Sequence, residues 1–211
     1  MRLAVFGASG GTGKHVVQQA LSRGHNVVAV VRRPDALALT DERLSVRQGD
    51  VLDPDSIARA IEGSETVISA LGSHTRRTPT TIYSEGISNI VAALPAADAS
   101  RLIAISAAPT GPWSEVSTFE RLVVYPLLEF LFGASYDDMR RMEGVLAHSE
   151  VDWTIFRPPR LTDREAKGNY RTSITGALPR AYTITRGDLA TAILDSITDD
   201  SLVRRFVAIA N

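Results

Sequence analysis

The segment FGASGGTGKH, Phe6 to His15, does most to limit what this chain can become. Gly7, Gly10 and Gly13 recur every three residues, after the apolar RLAV and before the helix-patterned HVVQQALSR, which Gly24 closes. Glycine weakens regular structure by roughly 0.5–1 kcal/mol relative to alanine, so a cluster of it at a strand-to-helix junction implies a compensating use. One glycine lets the chain turn sharply, another clears the backbone for an anion, and a third lets helix and strand approach closely. The unpaired N–H groups and positive dipole end of that helix then face the anion. The spacing therefore predicts that Gly7, Ser9, Gly10, Gly11, Thr12 and Gly13 border the pyrophosphate of a dinucleotide. A turn with no ligand is the plainer alternative.

The rest of the chain repeats the strand–helix alternation. Arg2 to Phe6, Asn26 to Val31, LSVRQG, TVISALG, Leu102 to Ser106, Asp152 to Arg157 and RFVAIA read as strands, several of them apolar throughout, as in strands covered on both faces. Asp53 and Pro54 mark one helix start. IYSEGISNIVAAL puts Ile82, Ile90, Val91 and Leu94 on one helical stripe. Helical segments follow at Phe119 to Phe132 and Tyr136 to Ser149, then a polar irregular stretch, then a helix opened by Thr185 with Asp188 at capping-box spacing. The pattern predicts a single domain over residues 1–211, an α/β doubly wound parallel sheet with helices on both faces. Its small-molecule pocket would be formed by the segments from about 108 to 185.

Composition removes other classes. In 211 residues the net charge is −1, so no global field draws nucleic acid or an anionic membrane. No cysteine is present, which excludes disulfides and thiolate chemistry and fits a reducing cytosol. His15, His25, His74 and His148 lack metal-ligand spacing, so no metal is expected. The apolar N-terminal run is too short for a signal-peptide core, and LVVYPLLEFLFG, broken by Pro126 and Glu129, is far below the ~20 residues of a spanning helix. A cytoplasmic protein follows as the expectation.

The end of the second strand selects the nucleotide. An acidic residue there would bond the ribose hydroxyl of NAD, but this chain has VVRRPD. Arg32 and Arg33 offer permanent charge and paired donors to a 2′-phosphate, so NADP(H) is preferred over NAD(H). Two solvated surface arginines, with Asp35 serving an NAD ribose, are the alternative.

The stretches AVFGASGGTGKHV, QGDVLD, SALGS, TPTTIYSEGISNIVAAL, VLAHSEVDWTIFRPPRLTD and ITRGDLA resemble the atypical short-chain dehydrogenase/reductases, within them the NmrA-like NAD(P)H-binding proteins and, more narrowly, the biliverdin-IXβ reductase/flavin reductase group. The resemblance implies a Rossmann-like fold in which Asp50 and Val51 border the adenine and Leu71 and Gly72 pass beneath the ribose and phosphates. It also implies that Ser106 and Ala107 lie near the nicotinamide, with Pro158, Pro159, Arg160 and Leu161 closing over it. The Tyr-x-x-x-Lys pair of the wider superfamily is missing. Its nearest counterpart, Tyr136 to Arg140 of YDDMR, is one position off register, and arginine is no base. Ser106 and Tyr136 are the candidate catalytic residues, Tyr136 also as a pocket-lining one. Trp113, Phe119 and Tyr125, from an aromatic-rich segment spanning Gly111 to Ser135, join Tyr136 and Arg160 as candidates for the substrate site. The expected activity is transfer of hydride from NADPH to a planar conjugated acceptor, most of all a flavin such as FMN or riboflavin, or a bilin or quinone, by a monomer or homodimer. The rival is an NADP(H)-binding redox sensor that does not turn over.

Overall fold

Strands apolar on both faces need cover on both, and alternate residues of a strand must serve opposite layers. β1 (Arg2–Phe6) does this: Leu3 and Val5 join one buried cluster, Ala4 and Phe6 the other. Our computed structural model describes residues 1–73 and 78–211. It places β1 in an eight-stranded sheet with β2 (Asn26–Val31), β3 (Leu44–Gln48), β4 (Thr66–Ser69), β5 (Arg101–Ile105), β6 (Asp152–Arg157), β8 (Arg171–Ser173) and β10 (Arg205–Ala210). The order is β3-β2-β1-β4-β5-β6-β10-β8, parallel throughout except for β8, which runs antiparallel to β10. This is a Rossmann-like single domain. His74 lies outside the described residues.

α1 (Gly11–Ser22) and α5 (Arg186–Asp195) cover one face through Val16, Val17, Leu189 and Ile193. α2 (Pro54–Ile61), α3 (Ser84–Ala93) and α4 (Tyr125–Ala147) cover the other through Ile57, Ile61, Ile87, Ile90, Met142 and Leu146. The Asp53 carboxylate accepts from the Asp55 and Ser56 N–H groups with Pro54 at the first turn of α2, as the sequence predicts. On α3 the stripe is shifted: Ile90 and Leu94 are buried, Ile82 and Val91 only partly, and Ile87 is the fully buried residue the pattern missed.

Three expectations are corrected. The helical segments around 119–132 and 136–149 are one continuous rod, a π-helical turn at Glu120–Val124 running straight into α4. Pro126, which has no N–H to donate, falls where the π-helical turn gives way to α4. The polar stretch after Pro159 is not structureless: β7 (Arg160–Thr162) pairs in parallel with β9 (Thr183–Thr185), and β8 forms the sheet edge. Such three-residue strands carry no apolar run to betray them. Finally, the capping box is only half formed. Thr185 Oγ1 accepts from the Asp188 N–H at 3.0 Å, but the Thr185 N–H goes to Asn211 Oδ1 at 2.9 Å. Aspartate, one methylene shorter than glutamate, instead accepts from the backbone N–H groups of Lys167 and Gly168. Among the described residues, no helix is long and apolar enough to cross a membrane.

Candidate functional site

β1 has β2 on one side and β4 on the other, so the chain reverses its direction of travel across the sheet there and leaves a crevice at the strands' carboxyl ends. Gly7 turns into it with φ +71, and a Cβ there would sit 2.3 Å from the Ala70 carbonyl oxygen. A Cβ on Gly13 would lie 2.1 Å from the Gly7 carbonyl oxygen, so α1 can approach the turn only because Gly13 is bare. Gly10, at the cap position before α1, offers no side-chain cap, and the first turn holds no acidic residue, leaving the helix's first N–H groups to an anion. Across the crevice, Gly72 faces open space, with nothing within 4 Å of where its Cβ would be. The cleft measures about 380 Å³, and Gly7, Ser9, Gly10, Gly11, Thr12, Val51, Leu71, Gly72, Ser106 and Leu161 line it. A bare cradle with an uncapped helix end fits the diphosphate of a dinucleotide.

At the β2 end Arg32 belongs both to this cleft and to an adjoining hollow of about 300 Å³ with Gln48, Gly49, Asp50, Asp53, Ser56 and Arg59. Arg33 is exposed on the turn that follows β2. Arg59, in the last turn of α2, supplies a second cation to the hollow that no motif announced. Asp50 is held by local bonds, its carboxylate accepting from the Leu52 N–H and its own N–H donating to Ser56 Oγ. The Val51 carbonyl accepts from Asn89 Nδ2 at 2.9 Å.

At the β5 end the polar groups are buried and paired. Ser106 Oγ and Thr110 Oγ1 both donate to Glu143 Oε1 at 2.7 Å, and Arg157 clamps the same carboxylate through Nε at 3.0 Å and Nη2 at 2.7 Å. The Arg157 guanidinium also lies 3.9 Å from the Phe206 ring centroid. With its proton committed to Glu143, Ser106 offers the cleft an acceptor. Ala107 follows it, partly exposed, and the Ala108 N–H donates to the Pro158 carbonyl at 2.8 Å, tying the ends of β5 and β6 together. Tyr83 and Met139, unmarked by the sequence reading, also line the cleft. The Tyr83 hydroxyl accepts from the Ser73 N–H at 2.9 Å, and burial raises its pKa despite that bond. The Tyr83 N–H donates to the fully buried Asp138, to which Ser84 also donates.

A second, mostly apolar cavity of about 360 Å³ opens where the cleft's far wall ends. Ser106 and Leu161 face the cleft, whereas Ala108 and Pro159, each two residues away, face the cavity. Tyr125 lines it, with Trp113 packed edge-on behind at 5.6 Å and bonded through Nε1 to the Pro109 carbonyl. Its remaining wall comes from residues 173–178 and from Phe206 and Ala208, with Glu115, Glu120 and Arg157 as the charged members. Phe119 is 67% exposed on the rod's outer face, and Arg160 is exposed on β7. Pro158 is buried. Tyr136 is partly buried beside Phe132, outside the lining of both cavities, and its hydroxyl is pushed up to about 12, first by burial and then by Glu129.

A family model described as NAD(P)H-binding matches residues 7–200. The uncharacterized protein YwnB of Bacillus subtilis is 26% identical over 93% of this chain and 92% of its own. Among solved structures, ChuY, an anaerobilin reductase of Escherichia coli O157:H7, superposes over 100% of this chain and 97% of its own, with a TM-score of 0.82 at 23% identity. A short-chain dehydrogenase/reductase of Veillonella parvula, solved in complex with NADP, covers 100% of this chain and 94% of its own, with a TM-score of 0.81 at 19% identity. At such identities these likenesses speak for the fold.

Proposed function

The chain belongs to the NAD(P)H-binding family, and from that premise we propose that it is an NADPH-dependent reductase whose acceptor, a planar conjugated ring system such as a flavin, bilin or quinone, occupies the second cavity. The supporting observation is adjacency: an apolar cavity adjoins the cleft, with Ala108 two residues after the cleft's Ser106 past the end of β5 and Pro159 two residues before the cleft's Leu161, between β6 and β7. A bound nicotinamide would supply the hydride. Ser106, its hydroxyl proton held by Glu143, would accept from an N–H donor such as a carboxamide and so orient that ring, with Leu161 packed over it. Tyr125 and Phe206 would limit water around the acceptor and hold it near attack range. Tyr136, protonated through the neutral range, acts in this reading as a packing residue of α4, and the reduced acceptor takes its proton from solvent.

The cavity's charges narrow the acceptor further. Arg157 is already neutralised by Glu143, while Glu115 and Glu120 add carboxylates. That balance favours a neutral ring system over an anionic one, so riboflavin should be reduced faster than FMN. ChuY, by its description, reduces a bilin, another planar conjugated acceptor. The test is oxidation of NADPH by purified protein with riboflavin, FMN, a bilin and a quinone. Rates at background for all four contradict the reductase reading and leave the dinucleotide assignment standing. Arg32 and Arg33 are read as the 2′-phosphate ligands, so their joint replacement by alanine should weaken NADPH far more than NADH. Equal losses would remove them from that role.

An exposed stripe favours the rival. Phe119, Leu122, Val123, Leu127 and Phe130 are each half or more exposed along the rod that ends in α4. A redox sensor would use such a face for a partner, and it predicts a dinucleotide-dependent change in oligomeric state with no turnover.

A further inference from the structure

Arg186 stands where helix electrostatics disfavour it. It is the first residue of α5, after the Thr185 cap, so its positive charge meets the positive end of that helix dipole. From there the side chain crosses to a second helix start. A Cβ built on Gly11 would lie 2.6 Å from Arg186 Nε and 2.8 Å from its Cδ, so the arginine rests on bare backbone at the first residue of α1. α1 has no acidic residue in its first turn to receive it. Arg186 Nη1 donates to Asp163 Oδ1 at 2.7 Å, but Asp163 is 83% exposed, and an ion pair so open to water contributes little. Arg186 thus places a cation between two positive helix ends, where it lines the cleft beside Gly10, Gly11 and Thr12.

Building on the dinucleotide reading above, we infer that Arg186 binds the diphosphate bridge and that Asp163 competes with the bridge for its guanidinium. The planar donor fork suits paired phosphate oxygens, and its approach is set by Gly11, where any side chain would collide with it. The role differs from that given to Arg32 and Arg33, which concerns the 2′-phosphate alone.

The test is equilibrium titration of NADPH, NADH and adenosine 2′-phosphate into the wild-type protein, Arg186→Ala and Asp163→Asn. Arg186→Ala should weaken NADPH and NADH by the same factor, about ten- to a hundredfold, as expected for a charge-assisted contact. Adenosine 2′-phosphate, which has no diphosphate, should bind unchanged. Asp163→Asn should tighten both dinucleotides, by up to about fivefold, the equivalent of an exposed ion pair. Unchanged dinucleotide affinity in Arg186→Ala, or weaker affinity in Asp163→Asn, overturns the assignment. Should Arg186→Ala not fold, Asp163→Asn decides, because loss of a merely structural bridge would not tighten binding. Failure of wild-type protein to bind either dinucleotide would instead bring down the reading on which the inference rests.

Discussion

Where β1 runs into α1, the cleft takes its shape from side chains that are missing; where β5, β6 and α4 meet, it takes its shape from charged side chains that are buried. The first region is steric and local. Gly7 and Gly13 are six residues apart in the chain, and each is excluded from carrying a Cβ by backbone atoms. The second is electrostatic and assembled at a distance: Glu143 gathers Ser106, Thr110 and Arg157 from separate elements, and Asp138 binds the start of α3 from α4. A steric site tolerates no added atom but needs no partner. An electrostatic one tolerates isosteres but fails when a partner is lost.

Gly13→Val breaks the first region hardest. Its Cβ would meet the Gly7 carbonyl oxygen at 2.1 Å, and neither backbone segment can yield. We expect a loss of more than about 3 kcal/mol in urea unfolding. Gly72→Ala sharpens the point, because open space surrounds that position. Stability should change by less than about 0.5 kcal/mol while NADPH affinity falls, separating the glycine that serves the fold from the one that serves the ligand.

In the second region Glu143→Ala strands the half-buried Arg157, and a loss of about 2–3 kcal/mol is expected by the same unfolding measurement. Removing both charges, as in the double variant Glu143→Leu with Arg157→Met, should recover part of that loss. A double variant worse than the sum of the singles would show that the ion pair is not what holds β6 to α4.

Asp188→Asn is milder, about 1–2 kcal/mol at neutral pH. Burial works against ionisation of Asp188, but the N–H groups of Lys167 and Gly168 and the side chains of Asn211 and Thr185 outweigh it, so its carboxyl is held below the usual value. A depressed carboxyl stabilises the fold fully above the unfolded value of about 4, and that stability is lost as pH falls through the folded value. The gap between wild type and Asp188→Asn should therefore be constant from about pH 5 to 8 and close in acid; a gap widening in acid contradicts the assignment. The smallest effect is Tyr136→Phe. With its hydroxyl held up to about 12, Tyr136 should give no inflection in rate between about pH 6 and 9, and its loss should alter turnover by less than about threefold.

The same contrast explains what the sequence disclosed. The Asp53 cap with Pro54 was legible because its partners are the next few residues, the glycine turn because Gly13 packs on Gly7 close by in the chain, and the position of Arg32 because it directly follows β2. Glu143 was not, because its meaning lies in Ser106, 37 residues away, and in Thr110, 33 residues away. The sequence pattern ends one helical segment at Phe132 and starts the next at Tyr136, yet α4 runs through the gap because Met142 and Leu146 anchor it in the core. Arg186 was visible as a letter of ITRGDLA but not as a neighbour of Gly11, a contact that spans almost the whole chain.

Calorimetric titration of NADPH into wild-type protein and Gly72→Val tests the central claim most directly, namely that the bare cradle between β1 and β4 holds a dinucleotide. One-to-one saturable binding by the wild type, with at least about tenfold weaker binding by a Gly72→Val protein of unchanged melting temperature, is the predicted result. No heat from the wild type at saturating NADPH, or equal affinity in both proteins, would contradict it.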